Sequence, residues 1–196
     1  SIDASGRRDL RTAPQALTHI VKWNWKHGKD VNLSYLIDPQ GMNGELRIYF
    51  DRPLYDDPDD QGCGINEHTF SVTYHRQSDI AYPLQVLFND TDPPYVINEE
   101  GICAAVFPID EKMLESPLTI GDCILYVSLK CDFILDCHKR PVDGNHLKGQ
   151  APTGNGTAGG LFESWFRVID DLPRGRSRGD TMPWKRERHE HRRRGP

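Results

Sequence analysis

The sequence contains no uninterrupted apolar run of about 18 residues, the length that a membrane-spanning helix needs. We therefore expect no transmembrane helix, and no signal-peptide pattern is visible either. Hydrophobic residues make up only 37% of the 196 residues, which is little for a fully globular chain. Part of the chain is therefore predicted to be extended or disordered.

The chain also lacks the regular cysteine spacing of a disulfide framework. Its five cysteines are an odd number at irregular intervals. Two of them, Cys123 and Cys131, fall on the apolar side of a predicted strand, where a free thiol behaves as a small hydrophobic side chain. Unpaired cysteines of this kind are compatible with a cytoplasmic location.

Sequence motifs of common enzyme classes are missing. There is no G-x-S-x-G motif, and no G-K-[ST] follows the Gly-rich segment 149–160, so neither a nucleophile elbow nor a P-loop is predicted. Histidines occur throughout the chain, but none lies in a recognised catalytic constellation. We therefore interpret the chain as non-enzymatic. The Gly-rich segment itself is predicted to be a loop of low order.

The clearest positive signal is the segment 123–136, CILYVSLKCDFILD, in which apolar and polar residues alternate. Alternation with a period of two is typical of a strand with one buried face. The pattern predicts one long strand, with Leu125, Val127 and Phe133 in the core and Lys130 on the opposite face. Phe133→Ala is accordingly expected to destabilise the protein.

Shorter segments of the same character occur along the chain, separated by turn signals. Seven or so strands at intervals of about 8–12 residues predict an all-β fold, an antiparallel sandwich of two sheets. The first two segments are expected to form a hairpin, and Phe162, Trp165 and Phe166 to anchor the last one. Besides 123–136, the predicted strands are 17–25, 31–37, 45–50, 65–74, 84–88, 102–109 and 161–169.

The sequence divides into a central domain with two polar ends. Residues 1–16 are predicted to be an extended leader or linker, 17–169 the β-domain and 170–196 an extended basic tail. One helical turn is predicted at 111–115 within the domain.

Charge is distributed unevenly between the tail and the rest of the chain. From residue 173 onward there are nine Lys/Arg and three Asp/Glu, a balance of +6, whereas the remainder carries 15 basic and 26 acidic residues, a balance of −11. We expect the tail to dock on a neighbouring copy of the acidic domain, with nucleic acid as the competing anion. The proposed partner-binding residues are Arg174, Arg176, Arg178, Trp184, Lys185, Arg186 and Arg188.

Two groups of side chains are metal candidates. Asp56, Asp57, Asp59 and Asp60 form an oxygen-rich loop suited to calcium, although the EF-hand pattern is absent and a solvated surface loop is the alternative. The other group has ligand types that suit zinc, but its spacing is not an established one, and packed thiols with loop histidines are the alternative. Its members are Cys131, Cys137, His138 and His146.

Three short segments resemble bacterial Ig-like modules of the Big/SbsA type. They are LRIYFDRPL with its aromatic-to-proline corner, GINEHTFSV, and the strand GDCILYVSL. The resemblance covers about residues 40–145, and the turn after Asp136 departs from it because no glycine is present there. It implies an Ig-like β-sandwich with a structural or interaction role in a larger bacterial assembly, at the cell surface or outside the cell.

Two other functions stay open at this point. One is a metal-dependent enzyme that uses the Cys/His or Asp groups. The other is a calcium-stabilised carbohydrate-binding module in which Trp23, Trp25 or Tyr49 forms a stacking platform for a sugar ring.

Overall fold

We describe the protein from a computed structural model. The described residues are 16–55, 64–76, 85–87, 92–109, 122–146 and 149–172. Most of the leader, the acidic loop, the predicted helical turn 111–115 and the tail from residue 173 lie outside these ranges.

The regular secondary structure of the described chain is almost entirely β-strand, which confirms the all-β prediction. One short α-helix, α1 (Leu33–Ile37), and one 3₁₀ turn (Cys131–Phe133) accompany the strands. None of the described helices is long or apolar enough to cross a membrane. The strands are β1 (Ile20–Trp23), β2 (Asp30–Asn32), β3 (Glu45–Phe50), β4 (Phe70–Arg76), β5 (Gln85–Leu87), β6 (Tyr95–Glu99), β7 (Ile102–Pro108), β8 (Cys123–Lys130) and β9 (Leu161–Ile169).

These strands form two sheets. The four-stranded sheet has the order β1-β3-β7-β6, and every neighbouring pair in it is antiparallel. The five-stranded sheet has the order β2-β9-β8-β4-β5 and is antiparallel except for the parallel pair β2–β9. Consecutive strands therefore often belong to different sheets, so the chain crosses repeatedly from one sheet to the other.

Side chains from both sheets meet in one hydrophobic core. Phe70 of β4 lies 5.5 Å from Phe107 of β7, and Trp23 of β1 lies 5.0 Å from Phe162 of β9, measured between ring centroids. Leu125 and Val127 are buried in this core, as the alternation in β8 predicts. Burial of the aromatic rings supplies a large share of the stabilisation, since each removes roughly 150–250 Å² from water.

The hairpin predicted between the first two strands is wrong. β1 pairs with β3, and β2 pairs with β9 in the other sheet. The second predicted strand also stops after Asn32, because the chain turns into α1 and buries three residues on one helical face. Those residues, Leu33, Leu36 and Ile37, have the spacing i, i+3, i+4 that a helix needs to face a core.

The predicted strand 123–136 is too long by six residues. β8 ends at Lys130, opposite Leu161, where its partner β9 begins. The following 3₁₀ turn shifts the alternation, so that Phe133 is 63% exposed whereas Ile134 is fully buried. The prediction that Phe133 lies in the core is therefore wrong, and Ile134 occupies the core position instead.

Several segment boundaries match the prediction closely. β3 and β9 coincide with predicted strands, and β7 begins at the predicted residue. β6 was not predicted. It pairs with β7 through a tight turn in which Glu99 faces Ile102 and Gly101 adopts a φ of +82° that favours glycine.

Candidate functional site

Two groups of site residues predicted from the sequence fall outside the part of the chain that the structure describes. The calcium candidates Asp56, Asp57, Asp59 and Asp60 lie outside the described residues. The same holds for the proposed partner-binding residues of the tail, Arg174, Arg176, Arg178, Trp184, Lys185, Arg186 and Arg188.

The four zinc candidates differ strongly in their surroundings. Cys131 is buried and Cys137 is exposed. Burial raises the pKa of the Cys131 thiol to about 12, and the nearby carboxylate of Asp132 acts in the same direction. A metal ligand must be a thiolate, so Cys131 is poorly suited to that role. No three His, Cys, Asp or Glu side chains of the described ranges are grouped so that they would hold a metal ion.

The aromatic residues proposed as a sugar platform are occupied by other contacts. Trp25 is buried, and its indole Nε1 donates a hydrogen bond to Ser164 Oγ at 2.9 Å. The ammonium group of Lys22 lies 4.4 Å from the ring centroid of Tyr49. Trp23 makes edge contacts with other rings of the core border. These three residues do not form an open stacking surface.

A histidine cluster joins the loop after β8 to strand β9. His146 Nδ1 donates a hydrogen bond to the carbonyl oxygen of Glu163 at 2.6 Å, and its ring lies 5.8 Å from that of His27. His27 Nδ1 lies 3.1 Å from Ser164 Oγ. Burial lowers the pKa of His146, outweighing the Glu163 carbonyl, and His27 lowers it further.

A serine beside a histidine is the geometry of an activated nucleophile. Ser164, however, is only 3% exposed and already accepts a hydrogen bond from Trp25. A substrate carbonyl has no open approach to such a hydroxyl. We therefore assign Ser164 and the two histidines to packing of two loops against β9. His27 belongs to the loop between β1 and β2, and His146 to the loop between β8 and β9.

Two buried carboxylates organise the long connection between β8 and β9. Asp136 accepts hydrogen bonds from the Thr18 hydroxyl at 3.0 Å and from the backbone N–H groups of His138 and Arg140. Burial alone would raise the pKa of Asp136, but these donors and the Arg140 guanidinium hold it below its ordinary value. Arg140 lies 3.2 Å from the carboxylate.

Asp143 has a similar role in the Gly-rich segment. Its carboxylate accepts hydrogen bonds from the backbone N–H groups of Asn155 and Gly156, at 3.1 and 2.7 Å for the shorter contacts. The Thr153 backbone N–H donates to the carbonyl of Ile20 in β1. The segment predicted to be of low order is therefore tied to the domain by hydrogen bonds. Both carboxylates are fully satisfied, which indicates structural roles.

The outer face of the five-stranded sheet has the composition of a contact surface. Tyr126 of β8 and Trp165 of β9 are directly opposite each other in the sheet and are 39% and 38% exposed. This aromatic pair of cross-strand neighbours is flanked on one side by the row of Ser71, Ser128 and Glu163 and on the other by the row of His75, Ile124 and Arg167. The outer face consists of Ser71, Thr73 and His75 of β4, Ile124, Tyr126, Ser128 and Lys130 of β8, and Leu161, Glu163, Trp165, Arg167 and Ile169 of β9.

Contacts with Gly28 and His27 hold Trp165 in position. The Gly28 N–H donates to the Trp165 carbonyl at 2.7 Å, and a side chain at position 28 would meet the indole ring at 3.4 Å. The ring of His27 lies 5.8 Å away. An aromatic ring held in place loses little freedom on binding, as an anchor residue requires.

No family model, no curated protein and no solved structure matches this chain. The outer face was not identified as a site from the sequence. The sequence feature that indicates this face is the alternation in β9, which places Phe162 and Phe166 inward and Trp165 outward. Of the three residues expected to anchor this segment, Phe162 and Phe166 are buried in the core, whereas Trp165 is 38% exposed.

Proposed function

We propose that the domain is an Ig-like β-sandwich that acts as a non-enzymatic interaction module through the outer face. The strand order supports the Ig-like assignment. β1, β3, β7 and β6 take the places of strands A, B, E and D of an Ig domain, and β9, β8, β4 and β5 those of G, F, C and C′.

The aromatic pair on the outer face carries the functional part of the proposal. Trp and Tyr are enriched at the centres of protein interfaces, where they contribute large contact areas. Here one of each lies on a flat sheet surface, side by side and partly exposed. Tyr35, Tyr95 and Phe133 are also exposed, but Tyr126 and Trp165 are cross-strand neighbours on one sheet face, and this juxtaposition indicates a contact surface.

The wider setting is proposed from the sequence resemblance. A structural or interaction role in a bacterial surface or extracellular assembly fits a module whose recognition surface is a sheet face. Docking of the basic tail, at +6, on an acidic domain remains a second contact that we propose between subunits.

Carbohydrate binding is the second candidate, and the same aromatic pair favours it. Two adjacent rings with hydroxyl and charged groups on either side suit a sugar ring, which stacks on aromatic planes and hydrogen-bonds at its edges. A glycan array probed with the wild-type chain and with Trp165→Ala would reveal such binding. Loss of binding with a chelator would indicate calcium dependence.

Site-specific photo-crosslinking tests the proposal directly. Trp165→benzoylphenylalanine, introduced in cells that naturally make the protein, should give a covalent adduct with a second protein. The matched control is Ile102→benzoylphenylalanine, because Ile102 is 46% exposed but belongs to the other sheet. Equal adduct yields at both positions, or none at position 165, would argue against the outer face as the contact surface.

A further inference from the structure

We propose that the partner of the outer face is a second copy of this chain, paired face to face about a two-fold axis. The inference rests on the proposed function, since it names the occupant of the same face. It is carried by the order of charged and apolar residues along β9.

The outward residues of β9 read as a charge-reversed palindrome around their aromatic residue. They are Leu161, Glu163, Trp165, Arg167 and Ile169. Trp165 is central, opposite charges lie two residues to either side, and aliphatic residues lie at both ends. In β8, Tyr126 is the residue opposite Trp165, and Ile124 and Ser128 lie two residues to either side of it.

A two-fold axis turns this pattern into complementarity. An axis parallel to the face, perpendicular to the strands and passing over the Tyr126–Trp165 row, places each strand antiparallel over its own copy. Glu163 then faces the second copy's Arg167, and Arg167 faces the second copy's Glu163. Each contact occurs twice, as an isologous interface requires.

The apolar part of the pattern matches under the same operation. Trp165 lies over Trp165 of the second copy, and Tyr126 over Tyr126. The aliphatic ends, Leu161 and Ile169, exchange places. A buried aromatic centre with charge pairs around it is the usual anatomy of a protein interface.

The size of the face fits a weak, reversible dimer. The five strands contain 30 residues, and at about 4.8 Å by 3.3 Å for each residue they cover about 480 Å². Typical stable interfaces bury about 800 Å² on each partner. We therefore expect a monomer–dimer equilibrium that depends on concentration.

One intramolecular contact competes with the proposed pairing. Asp30 of β2 lies 3.9 Å from Arg167, with both side chains substantially exposed. Exposed pairs of this kind contribute only about 0–1 kcal/mol. The Arg167 guanidinium therefore has donors left for a carboxylate of the second copy.

Charge reversal tests the pairing and its register together. Sedimentation velocity of the full chain across a concentration series should show a monomer–dimer equilibrium. Glu163→Arg alone, or Arg167→Glu alone, should weaken the dimer about tenfold or more, because like charges then meet twice. The double variant Glu163→Arg/Arg167→Glu should restore dimerisation, since the charges are again opposite.

Two surface reversals outside the outer face serve as matched controls. Lys26→Glu and Glu99→Arg change exposed residues that are not part of it, and both should leave the dimer unchanged. Melting temperatures of all variants verify folding. Dimerisation unaffected by the single reversals, or not restored by the double one, would overturn the proposal. A contact of the basic residues 173–196 with the acidic domain would not be weakened by Arg167→Glu, because this substitution adds a carboxylate to the domain.

Failure of this inference is distinguishable from failure of the proposed function. A chain that stays monomeric, but whose position-165 crosslink still captures a different protein, would refute self-pairing and leave the interaction face intact. A monomeric chain without any crosslink at that position would refute both.

Discussion

Ile134→Ala should lower the free energy of unfolding by about 2–5 kcal/mol, the usual cost of emptying a buried aliphatic site. Phe133→Ala, one residue earlier, should change it by less than about 0.5 kcal/mol, as expected for a surface substitution. The difference arises because Ile134 is fully buried, whereas Phe133 is 63% exposed.

Urea unfolding of the two variants, followed by tryptophan fluorescence, measures this contrast. The residues are adjacent, so each variant serves as the control for the other. A large loss of stability with Phe133→Ala and a small one with Ile134→Ala would mean that β8 continues through residue 136. That result would contradict the 3₁₀ turn at Cys131–Phe133.

Asp136→Ala should cost about 3–5 kcal/mol, comparable to removing one partner of a buried ion pair. The substitution leaves the buried Thr18 hydroxyl, two backbone N–H groups and part of the Arg140 guanidinium without their acceptor. Asp30→Ala, at an exposed position with one long ion pair, should cost less than about 1 kcal/mol. Equal losses for both would show that the Asp136 hydrogen bonds are not formed.

The same carboxylate gives a pH dependence with a defined sign. Its pKa is lower in the folded protein than in the unfolded chain, so the ionised form favours folding. This contribution is complete above about pH 4 and is lost as the pH falls through the lowered folded pKa. The stability difference between wild type and Asp136→Ala should therefore shrink as the pH falls below about 4. A constant difference over this range would contradict the lowered pKa.

Local alternation predicted most strands because it reports burial of one face directly. It predicted β3 and β9 with their boundaries. It failed after Lys130, since CDFILD continues the alternation although the partner strand begins only at Leu161. The end of a strand depends on its neighbour in the sheet, which is a tertiary contact that a period of two does not contain.

Topology was less accessible than strand content. A turn between 17–25 and 31–37 suggests a hairpin locally, yet β1 and β2 belong to different sheets. The apolar residues of α1 occur within a short run that fits a helix or a strand. β2 pairs in parallel with β9 and not with β1. Because β2 and β9 are far apart in the chain, local sequence patterns do not predict this pairing.

The outer face was partly predictable. Alternation in β8 already places Tyr126 on the side away from the core, and the same rule applied to β9 places Trp165 outward. Their direct juxtaposition was not predictable, because it requires the register between the two strands. The histidine cluster is a further example, since His27 and His146 meet only through the fold.

Hydroxyl-radical footprinting of the full chain over a range of concentrations tests the central claim most directly. Tyr126 and Trp165 should become protected from oxidation as the concentration rises, and Glu163→Arg should move that protection to concentrations about tenfold higher or more. Tyr35 and Tyr95, which are 53% and 41% exposed elsewhere in the same chain, should oxidise at constant rates. Unchanged oxidation of the aromatic pair, or equal protection of all four residues, would contradict pairing through the outer face.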